Sequence, residues 1–409
     1  MSLRKFVVIP VCVVLIALLA GLGVSGCSSD NDTGSETAAV EGEPAASEAA
    51  QATTEEKQPA AEEEAAKKSG PPVDQWKPDF DPSGAEYKCI ISNVSHPAIK
   101  GVYAGFAIRD ALWEATDGRI YIDYKPFSML GGEVEVLNQL QMGAIQGMGV
   151  SSVAATNLGP RFGLVNLPFL INSFDKLDKF VNSGALFDHF MMAMDHQGIM
   201  GLDITGYGNY GWATTVPVQR IEDARTIKFR IAEAAVNKLS YQAWGLNPVV
   251  MPWPDVHVAL KQGVIDGLDH APIVCNLTKK FEVCKYFTQL NYAQGLFIWI
   301  FNKDWFNSLP ADLQQTFKEV VHKVCADIRA QTVQQEAEQI QAAKDAGVTF
   351  YRLPEEDMAS LKAQAQTVYE EFSDEINELH EGDTYRPENY LQEVQEYMAE
   401  DAGSVPETM

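Results

Sequence analysis

The sequence predicts an α/β protein, on three observations. Short apolar or β-branched runs alternate with helical patterns from residue 87 onward, a long helical stretch follows Leu309 and Pro310, and no internal repeat of solenoid length is present. Strands alternating with helices favour a mixed architecture over a bundle or a sandwich. The 409 residues leave room for two domains and a sizeable core.

At the N-terminus, Arg4 and Lys5 precede an apolar run over residues 6–22 that contains no charged residue. This pattern is that of a secretory signal, although the run is near the lower length limit for a membrane-spanning anchor. Val24, Ser25 and Gly26 before Cys27, with Ser28 and Ser29 after it, resemble the lipobox of bacterial lipoproteins, which implies acylation of Cys27. Residues 1–27 are therefore expected to be a signal peptide, and the body of the protein to be extracytoplasmic and lipid-anchored, in the periplasm or on the outer face of the cell membrane. Residues 28–70 have no aromatic side chain and carry eleven acidic against three basic residues. Such a segment cannot bury enough apolar surface to order itself, and its like charges extend it. The expected acidic tether runs over residues 28–84.

Folded structure is expected from residues 87–92, a strand, followed by a helix over 99–115 that stops at the Asp117-Gly118 turn signal. Residues 119–124 alternate Ile120, Ile122 and Tyr124 with more polar neighbours, which predicts a second strand. After Leu130-Gly131-Gly132 a helix is expected over 133–142, then a short strand over 147–150. Further strands are predicted at 201–205 and 227–231, and helices at 236–244 and 255–262, the last closed by Gly263. A long helix is expected over 312–346 and another over 355–379.

The formal charge of −25 disfavours nucleic acid and anionic lipid surfaces as partners. It also repels an anionic ligand at long range, so a site for one requires a local arginine. Of six cysteines, Cys12 leaves with the signal and Cys27 is assigned to lipid. Cys89, Cys275, Cys284 and Cys325 remain, and could pair in three ways that spacing cannot separate. With no CxxC and no HxxxH, neither a metal site nor a cofactor is implied. Gly206 to Gly211 reads GYGNYG, which matches a dinucleotide fingerprint, but the β-branched, proline-broken segment after it cannot supply the helix N-terminus that holds pyrophosphate.

Four blocks carry a stronger signal: GEVEVLNQLQMGAIQ, LVNLPFLINSFDKL, VPVQRIEDARTIKFR and GLNPVVMPWPDVHVALKQGVIDGLDHAP. In order and spacing they resemble the DctP-type solute receptors of TRAP transporters over residues 87–372. Asp223 to Arg230 is similar to that family's DLKGLKIR segment, and Val264 to Gly267 to its VDG signature. The resemblance implies a two-lobed, periplasmic-binding-protein-like (Venus flytrap) fold with a long bridging helix. Lobe I is expected to take residues 85–207, lobe II 208–295, and the return to lobe I 296–409. It further implies no catalysis, with membrane subunits of a TRAP transporter as partners.

By the same resemblance Arg230 pairs with a ligand carboxylate, for which a planar, permanently charged fork is well suited. Trp253 either packs on the ligand or fills the core. His270 replaces an Asn, and Tyr210 stands where dicarboxylate and sialic-acid binders have a second arginine, so the site has lost a positive charge. A neutral His270 can still hydrogen-bond a carboxylate. These changes imply a small monocarboxylate, of aromatic or apolar character. Ser151 and Ser152 either offer hydroxyls to the cleft or cap the loop after their strand, while Gln146 and Asp266 are expected to be structural. The rival readings are an enzyme with His270 as base and Asp266 or Asp269 orienting it, and a sensor that presents its closed form to a signalling partner.

Overall fold

A computed structural model describes residues 74–399. The signal peptide, Cys27 and most of the expected tether lie outside them. Nine strands are described: β1 (Tyr87–Ser92), β2 (Ile120–Lys125), β3 (Gly147–Ser151), β4 (Ile199–Thr214), β5 (Phe229–Ile231), β6 (Val249–Val250), β7 (Gly267–His270), β8 (Tyr286–Asn302) and β9 (Thr349–Arg352). They form one continuous sheet in the order β2-β1-β3-β8-β4-β7-β5-β6, with β9 added alongside β8.

Two antiparallel strands make this sheet two-lobed. The first half of β4, Ile199 to Gly206, pairs with Leu296 to Asn302 at the end of β8, while Gly211 to Thr214 pairs with Tyr286 to Gln289 at its start. On the first half, β3 joins the far edge of β8 and leads to β1 and β2. On the second half, β7 joins β4 and leads to β5 and β6. Between the halves the ladder slips at Gly206/Gly208 and again at Asn209/Gly211. Bulges of this kind bend a strand and sharpen its twist, so the crossing point is also the bend between the lobes. The GYGNYG segment lies inside β4, with Gly208 at φ +111°, and no helix starts there.

Helix α1 (Lys100–Ala115) connects β1 to β2, and α2 (Glu133–Gln141) precedes β3. Helix α3 (Ala311–Asp345), about 50 Å long at 1.5 Å per residue, bridges the lobes. On the first lobe its Arg329 donates to Asp203 Oδ1 at 2.6 Å and to Asp178 at 3.1 Å. Toward the second lobe its Gln339 accepts from Asn276 at 2.8 Å. Between them Glu336 accepts from the backbone N–H and the side-chain amide of Asn209, at the bend itself.

Three expectations need correction. The tether ends before residue 84, because Trp76 stacks on Phe106 with centroids 5.5 Å apart and Phe80 stacks on Trp113 at 4.3 Å. Two aromatic rings anchor a segment whose average composition is that of a linker. The helix expected over 355–379 breaks at Ala365 into Glu355–Gln364 and Gln366–Asn377, and the second piece places Val368, Phe372 and Ile376 in the core. Strand β8 is absent from the sequence prediction: it is buried along nearly its whole length, so it has no polar face and no period-2 signal. The four cysteines are free and buried.

Gly101, in the first turn of α1, faces the bend so closely that a Cβ would stand 2.4 Å from the Gly206 carbonyl oxygen. Gly101→Ala should therefore lower the urea midpoint. Overpacking costs about 1–3 kcal/mol, more than a first-turn alanine recovers through helix propensity, which is at most ~1 kcal/mol. An unchanged or raised midpoint would mean that α1 does not press on β4.

Candidate functional site

The cleft between the lobes is a narrow pocket of about 30 Å³. Part of its wall comes from the C-terminal ends of β3 and β7 and from the segments after β1, β5 and β6, where open α/β sheets place their ligands, and Tyr207, Tyr210 and Phe297 come from the middle of β4 and β8. Arg230, Trp253, His270, Tyr210 and Ser151, the five residues singled out in the sequence, all line it. A wider recess of about 280 Å³ adjoins it and shares Glu133, Arg230 and Trp253.

Arg230 sits in the three-residue strand β5 between two core residues, Phe229 and Ile231, and is itself only 5% exposed. Its Nε donates to the Met251 carbonyl at 2.8 Å. Among the described residues the guanidinium has no ion-pair partner within 4.0 Å. Burial lowers its pKa from the ordinary arginine value, and the field of Glu133 opposes that shift. Trp253 lies beside it, with the guanidinium carbon 5.6 Å from the ring centroid, and Lys280 Nζ stands 4.3 Å from the same ring. Desolvation pushes the Lys280 ammonium down to about 8.

Trp253 also packs against His270, centroids 4.8 Å apart. The His270 Nδ1 accepts the Ala271 N–H at 3.0 Å, so in the neutral ring the proton is on Nε2. Burial first, then Arg230 and Lys280, holds the ring's pKa well below the ordinary histidine value. Tyr210 shares a 2.7 Å hydroxyl contact with Tyr207, and both phenols have raised pKa values through burial. The pair therefore stays neutral and offers hydrogen bonds rather than charge. Tyr210 itself thus supplies no positive charge where the resemblance would place an arginine.

Ser151 is at the cleft wall, but its hydroxyl is committed. The Oγ accepts the Ala154 N–H as a helix cap and donates to Glu133 Oε2 at 2.8 Å, while the Ser151 N–H donates to Glu133 Oε1 at 2.7 Å. It positions Glu133 rather than a ligand. Ser152 turns away to Asn166. Gln146 is held in the sheet by Ile90, and Asp266 binds the Lys228 N–H at a turn.

Two carboxylates in the cleft escaped the sequence reading as ligand groups. Glu133 opens α2, where a helix N-terminus favours negative charge. Its pKa is nonetheless raised, since desolvation outweighs the two Ser151 hydrogen bonds and the attraction of Arg230. Asp269 in β7 is 4% exposed, and its pKa is raised to about 7 by burial, against the pull of Tyr292, Arg230 and Tyr241. The Tyr292 hydroxyl donates to its Oδ2 at 2.5 Å, and Oδ1 has no hydrogen-bond partner of ordinary geometry. Neither Asp269 nor Asp266 contacts His270 Nδ1, so the acid–histidine pair of the enzyme reading is not assembled. Glu133 was detectable as an acidic first-turn residue after a double glycine, whereas nothing local marks Asp269 as buried.

Comparison with known proteins places this geometry in context. The sequence model of the bacterial extracellular solute-binding protein family 7, DctP, matches residues 93–375. The C4-dicarboxylate-binding periplasmic protein DctP of Rhodobacter capsulatus is 28% identical over 263 residues, 64% of this chain and 79% of that protein. Among solved structures, a TRAP periplasmic solute-binding protein of Shewanella oneidensis with bound succinate superposes with a TM-score of 0.69 at 21% identity, covering 77% of this chain and 98% of the other. A second, from Sulfurospirillum deleyianum and also with succinate, gives 0.66 at 25% identity over 76% and 99%.

The buried acid has a consequence for pH. Asp269 binds its proton more tightly folded, at about 7, than unfolded, near 3.8. The folded state therefore carries the extra proton between those values, and stability falls as pH rises through that window. Asp269→Asn removes this loss. In thermal melts without ligand the variant should gain on the parent by more at pH 8 than at pH 5, and an equal difference at both would show that Asp269 is ionised without penalty.

Proposed function

This chain belongs to the bacterial extracellular solute-binding protein family 7, and from that membership we propose that it is an extracytoplasmic receptor that captures a small monocarboxylate between its lobes and hands it to the membrane subunits of a TRAP-type secondary transporter. The observation that carries the ligand class is Arg230. A guanidinium withdrawn from water, with one N–H tied to Met251 and no acidic partner, is costly by several kcal/mol unless a ligand supplies the anion. A carboxylate can take two of its N–H groups at once. The neutral Tyr207–Tyr210 pair, and the acidic Glu133 and Asp269, favour one carboxylate over two. Trp253, Tyr210 and Phe297 along the wall suit an aromatic or apolar body.

Turnover needs no group here. His270 is neutral and lacks an orienting acid, so capture and release are the activity. Binding is coupled to closure because the walls belong to different lobes: Ser151 and Glu133 on one, Arg230, Trp253 and His270 on the other. A ligand touching both favours the shut arrangement by its differential affinity. The lobe boundaries at 207/208 and 295/296 draw support from the register slips of β4 near Gly206 and Asn209. The tether and an acylated Cys27 would hold the receptor at the membrane. No helix among the described residues is long and apolar enough to cross it.

A thermal-shift screen of the purified protein against mono- and dicarboxylates, aromatic acids and neutral controls tests the ligand class. A ligand at 100 times its Kd stabilises by about 2.7 kcal/mol, which raises the melting temperature by several degrees. Arg230→Ala should lose about 2–5 kcal/mol of that binding. Stabilisation by neutral compounds alone, or an unchanged response in the variant, sinks the carboxylate reading. For the anchor, Cys27→Ser should move the protein from the membrane to the soluble extracytoplasmic fraction and abolish labelling with palmitate. Membrane retention of the variant would count against lipidation.

A further inference from the structure

Glu133 and Asp269 are unexplained by a plain organic acid. A cleft that must hold an anion on Arg230 presents two carboxyl groups of its own, from opposite lobes, Glu133 at the start of α2 and Asp269 in β7. Glu133 is oriented by two hydrogen bonds from Ser151 and has lone pairs to spare. Asp269 Oδ1 has no hydrogen-bond partner of ordinary geometry, although the Tyr241 hydroxyl also pulls on this carboxylate and the residue is more than nine-tenths buried. Buried acceptors without donors are rare and costly, and one that borders a ligand cavity marks where a donor arrives. A second carboxylate on the ligand would meet these groups with repulsion. A cation would meet them with attraction, and the faces of Trp253 and Tyr210 in the same cavity add a favourable surface for it.

We propose, on the reading that Arg230 holds the carboxylate, that the ligand is a zwitterion whose cationic nitrogen is received between Glu133 and Asp269. The two ends of such a molecule then engage opposite walls: the carboxylate lies on the second lobe, and the nitrogen draws Glu133 of the first lobe toward it. Closure is driven by charge at both ends. Asp269, whose burial already holds its proton to about neutral pH, ionises when the cation arrives. The groups facing it are Arg230, Tyr210, Tyr241 and Tyr292, none of which supplies a full compensating charge by contact. A metal ion shared with the ligand is a poorer fit, since no group of three acidic, His or Cys side chains able to hold one occurs among the described residues.

The test is calorimetry of the purified protein, in EDTA, with matched sets: amino acids and betaines, the corresponding 2-hydroxy acids, the deaminated acids, and dicarboxylates of equal length. At least one zwitterion should bind about 100-fold more tightly than its hydroxy and deaminated counterparts, the ~2.7 kcal/mol of one charge-assisted contact pair. Glu133→Gln and Asp269→Asn should each weaken it at least tenfold, with circular dichroism and ligand-free melting confirming that both variants fold. If a hydroxy acid, a deaminated acid or a dicarboxylate binds as tightly as any zwitterion, or if binding appears only when a divalent cation replaces EDTA, the zwitterion proposal is overturned and the receptor reading stands. If nothing in the panel binds and Arg230→Ala behaves as the parent, the receptor reading fails with it.

Discussion

Strands β4 and β8, of 16 and 17 residues, run antiparallel through both lobes, and the remaining strands take their places from them. A ladder this long would normally impose one continuous twist on the sheet. The slips near Gly206 and Asn209 interrupt it, and small residues make that possible. Gly208 holds φ +111°, which disfavours a side chain, and Gly295 lies under the Tyr207 ring, where a Cβ would come within 2.1 Å of it. Tyr207 in turn sets Tyr210 through their shared hydroxyl contact. The bend that separates the lobes and the floor of the cleft are thus one arrangement of atoms.

Bulges leave backbone groups without ladder partners, and a buried N–H must still be satisfied. At Asn209 the partner comes from α3: Glu336 takes the backbone N–H and the side-chain amide together, while the Gln294 side-chain amide from β8 donates to Asn209 Oδ1. Burial raises the Glu336 pKa, and the Asn209 hydrogen bonds oppose that rise. The bridging helix therefore contributes more than length. It supplies the acceptor for the Asn209 N–H at the bend, which ties the relative position of the lobes to a helix that contacts both.

Electrostatics impose a second constraint. The chain as a whole carries a formal charge of −25, a field that discourages anions. Within the cleft the sign is set over a few ångströms by a guanidinium and by two carboxyl groups whose pKa values burial raises. In a low-dielectric pocket such local charges outweigh distant surface ones. Lys280, pressed on Trp253 and partly desolvated, adds a further positive group at the edge. Two cationic side chains, Arg230 and Lys280, thus stand by the Trp253 ring, which also packs against the core.

Much of the fold was legible in the sequence because its signals are local. Alternation at Ile120, Ile122 and Tyr124 gives β2, and the stretch after Pro310 gives α3 to within a residue at each end. Motif likeness led to Arg230, Trp253, His270 and Tyr210, spread over 60 residues of chain, and they do line one cavity. What the sequence left open was decided by contacts between distant segments. Strand β8 is buried on both faces and so has no periodicity to read; Trp76 and Phe80 are ordered only because Phe106 and Trp113 stand beneath them. Ser151 looks like a free hydroxyl until Glu133, eighteen positions earlier, occupies it. The charge of Asp269 depends on Tyr292, Tyr241 and Arg230 arriving around it. Periodicity and turn chemistry depend on neighbours a few residues away, whereas burial, a shifted pKa and an unused lone pair depend on which atoms the folded chain brings within a few ångströms.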